Sequence, residues 1–323
     1  MIALDHVRDR FCYFKGMHRV AQSEIDNPND HGWRASDVAV AHGAFVSYIV
    51  SPTGRCNGRC RYCFADHYEN GEFPLNANEI GHLARQARIR GFLRCDLSGG
   101  EPLLREDIVD LVEAMVHHVG VMLTTSARNI PTTRLTKLAR LLPVIQVSLD
   151  GHTDSMNAAR GDSAANVIRN IRRLIDFGTR VRVLTVAHRL NAHLMPEFAK
   201  ALGDWGVWEW KILRVIPSGR ALGWDGVLTD QEATALVCAV QGMELPTQFV
   251  GFGKDPQRVC VVIEDNLHLM LDRDGIQQDL GHVVIDNPFA GLSRFSRESK
   301  IHLDYYLDVH SSGGRFARAD EGT

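Results

Sequence analysis

The sequence predicts an α/β protein: a partial (β/α)6 barrel of parallel strands followed by a small C-terminal α+β extension. Three observations carry this. Apolar, β-branched runs alternate with amphipathic runs from about residue 44 to 217, and strict β/α alternation favours one parallel sheet with crossover helices. The six units are too few for a closed eight-stranded barrel. Polar or glycine-rich segments follow each strand directly, where active sites of parallel α/β folds lie.

Residues 1–43 show no clear period. AFVSYIV (44–50) reads as a buried strand closed by Pro52 and Gly54. NANEIGHLARQARIRG (76–91) reads as a helix with Asn76 or Asn78 as cap and Gly91 as stop. FLRCDL is a strand running into a glycine turn. REDIVDLVEAMVHHVG is a helix with Ile108, Leu111, Val112, Met115 and Val119 on one stripe. GVMLTTSA, VIQVSLDG, RVRVLTVAH and WEWKILRVIP follow as strands, separated by the helices RLTKLARLL, NVIRNIRRLIDFG and MPEFAKALGDWG. Beyond residue 222 the alternation lapses. TDQEATALVCAVQGM is a helix with Asp230 as candidate cap, RVCVVIED and LHLMLDRDG are short strands, and HSSGGRFARADEGT is a frayed tail.

Composition is ordinary for a soluble globular protein, at 45% hydrophobic and 23% charged over 323 residues. With 36 Lys and Arg against 39 Asp and Glu, the net charge of −3 supplies no global field for nucleic acid or anionic lipid. Arg169, Arg172, Arg173 and Arg180 read as a solvated helix face without interleaved aromatics, so a nucleic-acid partner is not expected. No apolar stretch reaches the ~20 residues of a membrane span, and MIALDHVRDRF has no apolar signal core. The expected location is the cytoplasm, where thiols stay reduced.

Seven cysteines are an odd count, and Cys56, Cys60 and Cys63 crowd one loop after the first barrel strand. Three thiolates on a short loop can wrap one cluster of soft metal ions. A closed structural zinc site wants four ligands, and no CxxC or HxxxH partner appears later. Cys12, Cys95, Cys238 and Cys260 stand alone.

The CxxxCxΦC loop, with Tyr62 as its aromatic, resembles that of the radical S-adenosylmethionine (SAM) superfamily, and the resemblance runs from about Tyr48 to Arg220. It implies one [4Fe–4S] cluster on three cysteines, with an open iron that chelates SAM. The reduced cluster cleaves the sulfonium, and a 5′-deoxyadenosyl radical takes hydrogen from the substrate. Gly99, Gly100 and Glu101 match the family's GGE motif, which implies a hold on the SAM amino group. Glycines after a strand allow close backbone approach to a ligand, and a carboxylate accepts from an ammonium. Ser126 stands where relatives have a TTNG-like strand end. Ser148-Leu149-Asp150-Gly151 with Arg160-Gly161 resembles the SLDG…RG stretch. That places Ser148 near the ribose, Asp150 beside it and Arg160, whose fork meets a carboxylate bidentately, near the SAM carboxylate. Asn191 matches a rim asparagine, and backbone near Ile216 would meet the adenine. More loosely, the chain is similar to the viperin and molybdopterin-precursor branches. Its Leu271–Gly275 and Leu280-Gly281-His282 resemble the hairpin start of SPASM or twitch accessory domains without their cysteines.

The chain thus divides into an N-terminal extension (1–43), the barrel (44–221), a cluster-free capping region (222–309) and a flexible tail (310–323). The resemblance implies an electron donor such as flavodoxin or ferredoxin. The expected activity is hydrogen abstraction from a small polar, nucleotide- or sugar-like substrate. Lys211 and Arg214 on the last strand are the candidate contacts for an anionic group. Rival readings are a peptide maturase with a separate leader-binding partner, and a non-catalytic iron–sulfur or zinc protein.

Overall fold

The computed structural model describes residues 2–5, 10–15, 18–19, 47–64, 71, 73–89, 92, 94–128, 130–243, 248–250, 259–273, 276–285 and 287–290. The tail 310–323 and Gly91 lie outside them. Six strands run parallel and adjacent in chain order: β4 (Ser47–Val50), β5 (Arg94–Leu97), β6 (Gly120–Thr125), β7 (Val144–Ser148), β8 (Arg180–Ala187) and β9 (Glu209–Arg214). The helices between them are α1 (Ala77–Ile89), α2 (Ile108–Val116), α3 (Thr132–Leu141), α4 (Ala164–Asp176) and α5 (Met195–Asp204). Right-handed crossovers in unbroken strand order place every helix on one face, so the sheet curls with its other face inward. The expected mostly parallel α/β architecture is therefore observed.

Local chemistry explains the boundaries. Asn76 caps α1: its Oδ1 accepts from the backbone N–H groups of Asn78 (3.0 Å) and Glu79 (3.2 Å), while Glu79 reaches back to the Asn76 N–H (2.9 Å). Gly178, at φ +85°, ends α4, where a residue without a Cβ turns left-handed at no cost. Strand β8 alternates intermediate and buried positions from end to end. Its buried residues Val181 and Val183 join the main core with Leu97, Leu123, Val147 and Trp210 from neighbouring strands and with Leu83, Leu111, Leu135, Ile171 and Phe198 from the helices. Helices thus cover one side chain in two along each strand.

Three features depart from the sequence expectation. Residues 2–19, which show no clear period, hold a three-stranded antiparallel sheet: β1 (Ile2–Asp5), β2 (Arg10–Lys15) and β3 (His18–Arg19). Helix α6 (Asp230–Gln241) is capped by Thr229 and not by Asp230, because the Thr229 hydroxyl accepts from Glu232 N–H and Glu232 accepts from Thr229 N–H in a capping box. The strands after the barrel lengthen the same sheet at both edges. β10 (Gln248–Val250) pairs parallel with β9, and β11 (Val259–Ile263) pairs parallel with β4 and carries the antiparallel β12 (His268–Arg273) and β13 (Ile276–His282). No described helix is long and apolar enough to cross a membrane.

Candidate functional site

The C-terminal ends of β4 to β9 present the cysteine loop, the 98–101 turn, Ser126, the 148–160 segment, His188 with Asn191, and the 215–221 turn on one rim. Backbone hydrogen bonds lace these pieces together. Gly100 N–H donates to Thr53 O (3.0 Å) and Glu101 N–H to Arg55 O (2.8 Å), tying the glycine turn to the start of the cysteine loop. Arg61 N–H donates to Ala159 O (2.7 Å), and Arg220 N–H to Cys63 O (3.0 Å). The loop is thereby held from three other strand ends.

The glycines of the 98–101 turn serve this lacing. Gly99 sits at φ +110°, and a Cβ on it would fall 2.1 Å from Ser51 Oγ; one on Gly100 would fall 2.2 Å from Arg55 O. Both glycines let the backbone of this turn lie against the segment that leads into the cysteine loop. Gly100→Ala, clashing with backbone, is expected to lower stability by ~1–3 kcal/mol in urea titration. Iron incorporation should fall with it as the loop shifts.

Cys56, Cys60 and Cys63 are all partly exposed, as a metal-binding loop requires. Burial pushes the Cys56 thiol up while the Gly58 N–H, 3.3 Å from its Sγ, pulls it back. Burial also raises Cys60, against the pull of Arg160. Among the described residues, no three His, Cys, Asp or Glu side chains already surround a point where one metal ion would sit. The donor set nevertheless suits a multi-iron cluster: three thiols on one loop, each able to reach a different iron. Tyr62, Ala159, Val215, Ala221 and Trp224 pack against Cys60 and exclude water from that side.

Glu101 is 3% exposed and fully engaged. Its Oε1 accepts from Thr125 Oγ1 (2.6 Å) and Leu103 N–H (3.1 Å), and its Oε2 from Ser126 N–H (2.8 Å) and Ser126 Oγ (2.6 Å). A carboxylate offers about four acceptor sites, so an incoming ammonium would have to displace one of the two hydroxyls, which can rotate away.

Across the rim, Asp150 is wholly buried. It accepts from Tyr62 OH and, through Oδ1, from Val186 N–H at 3.0 Å. Arg160 donates Nη1–H to Tyr62 Oη (3.2 Å) and Nε–H to Asp162 (3.0 Å). Its Nη2 makes no hydrogen bond among the described residues. Burial opposes the Arg160 charge, but Tyr62, Asp150, Cys60 and Asp162 together hold it more firmly protonated than usual. Burial and the adjoining Asp150 push the Tyr62 hydroxyl well up, so it stays a donor. Asn191 is committed to the fold: its Nδ2 donates to Asp150 O (3.1 Å) and Val186 O (3.0 Å), and its Oδ1 accepts from His188 N–H (2.8 Å). Ser126, Ser148 and Ile216 stand half-buried at their strand ends, the carbonyl of Ile216 accepting from Ser218 N–H at 2.8 Å.

The structure separates the two expected substrate contacts. Lys211 shares a face with Glu209 and Leu213, whereas Arg214 points the other way and pairs with Asp230 at 2.6 Å. The sequence reading missed Arg128, which ion-pairs with Asp162 and donates to Asn57 O (3.0 Å) and Arg160 O (3.1 Å). It also missed His188, fully buried with neither ring nitrogen bonded, whose ring lies 5.8 Å from Tyr62 and 5.4 Å from Trp224. No local pattern marks either residue, since the partners of their side chains lie 32 or more positions away in the chain.

Residues 50–202 match the family model of the radical SAM superfamily. A GTP 3′,8-cyclase of Erythrobacter litoralis is 32% identical over 183 residues, 53% of this chain and 54% of that protein. The mycofactocin maturase MftC of Mycolicibacterium smegmatis is 30% identical over 179 residues, 54% of this chain and 45% of that protein. The chain spans about half the length of these curated relatives. Among solved structures, native anSMEcpe with bound AdoMet superposes with TM-score 0.64 at 16% identity, over 80% of this chain and 82% of that one. Streptococcus suis SuiB bound to S-adenosylmethionine superposes with TM-score 0.58 at 17% identity, over 70% and 59%. At such identities the solved structures speak for the fold alone.

Proposed function

We propose, on the premise that this chain carries a radical SAM superfamily domain over residues 50–202, that it is an enzyme holding one [4Fe–4S] cluster on Cys56, Cys60 and Cys63 and binding SAM along the adjoining rim. The observation that carries this reading is the lacing of the cysteine loop to the Gly99–Glu101 turn and to the Tyr62–Asp150–Arg160 network. Bound there, the cluster and SAM would supply one-electron cleavage of the sulfonium carbon–sulfur bond and hydrogen abstraction from a substrate. The chain's own residues do the positioning. Arg160 offers Nη2 to a carboxylate, and Glu101 can exchange the Ser126 hydroxyl for an ammonium. Tyr62 and Trp224 keep water from Cys60. An electron donor of the flavodoxin or ferredoxin type belongs to this reading.

The favoured substrate class is a small polar molecule of nucleotide or sugar type, supported by the resemblance to a GTP 3′,8-cyclase. A peptide substrate is the second reading, supported by the similarity to the maturase MftC. The test of the shared reading is anaerobic reconstitution with iron, sulfide, SAM and a reductant. 5′-Deoxyadenosine is expected; its absence from a fully iron-loaded protein would overturn the assignment. In the same preparation, Arg160→Met and Glu101→Gln should weaken SAM binding roughly 10- to 150-fold, the loss of one charge-assisted hydrogen bond, and leave iron content unchanged.

A further inference from the structure

The inner face of the sheet, away from the helices, is not packed as a barrel interior usually is. Barrel interiors are commonly filled with layers of branched apolar side chains. Here the lowest layer is mixed: Met122 and Val144, 1% and 0% exposed, pack with Trp208 in a cluster separate from the main core, and in register they are flanked by Asp96 on β5 and Arg180 on β8. Arg180 lies over the Trp208 ring at 4.7 Å. One step nearer the rim the layer is wholly polar. Thr124, Gln146, Arg182 and Glu209 stand directly opposite one another across β6, β7, β8 and β9, Thr124 to Gln146, Gln146 to Arg182 and Arg182 to Glu209. Four consecutive strands thus present a single polar row on the face the helices do not cover.

The row is ordered by its own bonds. Gln146 Nε2–H donates to Thr124 Oγ1 at 2.8 Å. Arg182 grips Glu209 with two nitrogens, Nε at 2.8 Å and Nη2 at 2.9 Å. Side chains of Arg182 and Glu209 are 14% and 6% exposed, so the pair is largely withdrawn from solvent. Gln146 keeps its amide oxygen and one amide hydrogen without a hydrogen bond among the described residues. The next layer toward the rim holds Ser148, Leu184 and Lys211, in register across β7, β8 and β9. A charged pair in such a place rarely stabilises more than apolar residues of the same volume would, so folding alone does not explain the row.

We propose that the Thr124–Gln146–Arg182–Glu209 row is the recognition surface for the substrate's polar groups. The ligand class it fits is a small molecule with several hydrogen-bond donors and acceptors and one anionic group set against Lys211. The Met122–Val144–Trp208 cluster beneath and the cysteine loop above bound its reach. Arg182 and Glu209 pair with each other, and Lys211 lies in the adjoining layer nearer the rim. This deepens the proposed function and rests on it, since the row becomes a substrate floor only if the rim above it does the chemistry.

The test titrates the iron-loaded protein with SAM present, anaerobically, with GTP, glucose 6-phosphate and, as an apolar probe, N-acetylleucinamide. Gln146→Leu and the double variant Arg182→Met/Glu209→Leu remove the row without stranding a buried charge, and thermal melts confirm that each folds. At least one phosphorylated probe should bind wild type tenfold or more tightly than N-acetylleucinamide, and each variant should weaken it tenfold or more. Variants that bind that probe as wild type does, or a wild type that prefers N-acetylleucinamide or binds neither phosphorylated probe, would overturn the proposal. SAM cleavage in the same samples separates the two readings. Intact cleavage with unaltered probe binding sinks the row alone, whereas no cleavage by wild type sinks the rim assignment.

Discussion

Replacing any one of Cys56, Cys60 or Cys63 by alanine is expected to take the iron content from about four per chain to near zero, because each thiolate is one of only three protein ligands to the cluster proposed here. Iron and sulfide analysis of anaerobically purified protein reads the result. Cys95→Ala is the internal control. Its sulfur is wholly buried beside Tyr48 in the helix-facing core, and burial pushes its thiol well above the usual value, so it is neither accessible nor inclined to ionise. Cys238 is exposed on α6. Its variant should also keep the iron, as should those of Cys12 on β2 and Cys260 on β11. Loss of iron from any of these four, or its retention in two of the three loop variants, would end the one-cluster assignment.

The second large effect is expected at Asp150. Asp150→Ala leaves the buried Tyr62 hydroxyl and the part-buried Val186 N–H without their acceptor. An unsatisfied buried group costs roughly 1–3 kcal/mol, so the two together lower stability by ~2–6 kcal/mol in denaturant titration. Arg160 also loses an opposing charge, and the Tyr62 side of the cysteine loop loosens, so SAM affinity and iron content fall together. Asp150→Asn separates the two roles. Its amide oxygen still accepts from Val186 and its amide group still meets the Tyr62 hydroxyl, so most of the stability returns. The charge beside Arg160 does not return, and SAM binding stays weakened. Equal stability of the alanine variant and wild type would show that Asp150 does not pin the rim.

Much of this protein was legible in its sequence because much of it is local. The strand β8 alternates with period two, and α2 carries Ile108, Leu111, Val112 and Met115 on the stripe that it buries. The helical run NVIRNIRRLIDFG ends on Gly178, and left-handed Gly178 stops α4. The cysteine triad lies within eight residues, and in a parallel α/β chain each strand end falls at the same rim by topology. Hence the loop, Glu101, Ser126 and Asp150 could be named as neighbours from their places in the order of elements, while Arg160 and Asn191 came from the resemblance to the radical SAM superfamily.

What the sequence alone determined, then, is the succession of strands and helices through the barrel, the face that α2 buries and the three thiols offered at one edge. Tertiary structure decided the partners. Glu101 proved to be ringed by Thr125 and Ser126 from the next strand end, Arg128 to bridge the cysteine loop and Asp162, and Asn191 to hold the backbone carbonyls of Asp150 and Val186. Strand β11 pairs with β4, more than two hundred residues earlier in the chain. Thr124, Gln146, Arg182 and Glu209 look like scattered polar residues until register aligns them. The physical reason is the range of the interactions. Periodicity and capping act within a turn or two of chain, whereas register, ion pairing and hydrogen-bond satisfaction are settled only when distant segments compete for the same groups in the closed fold.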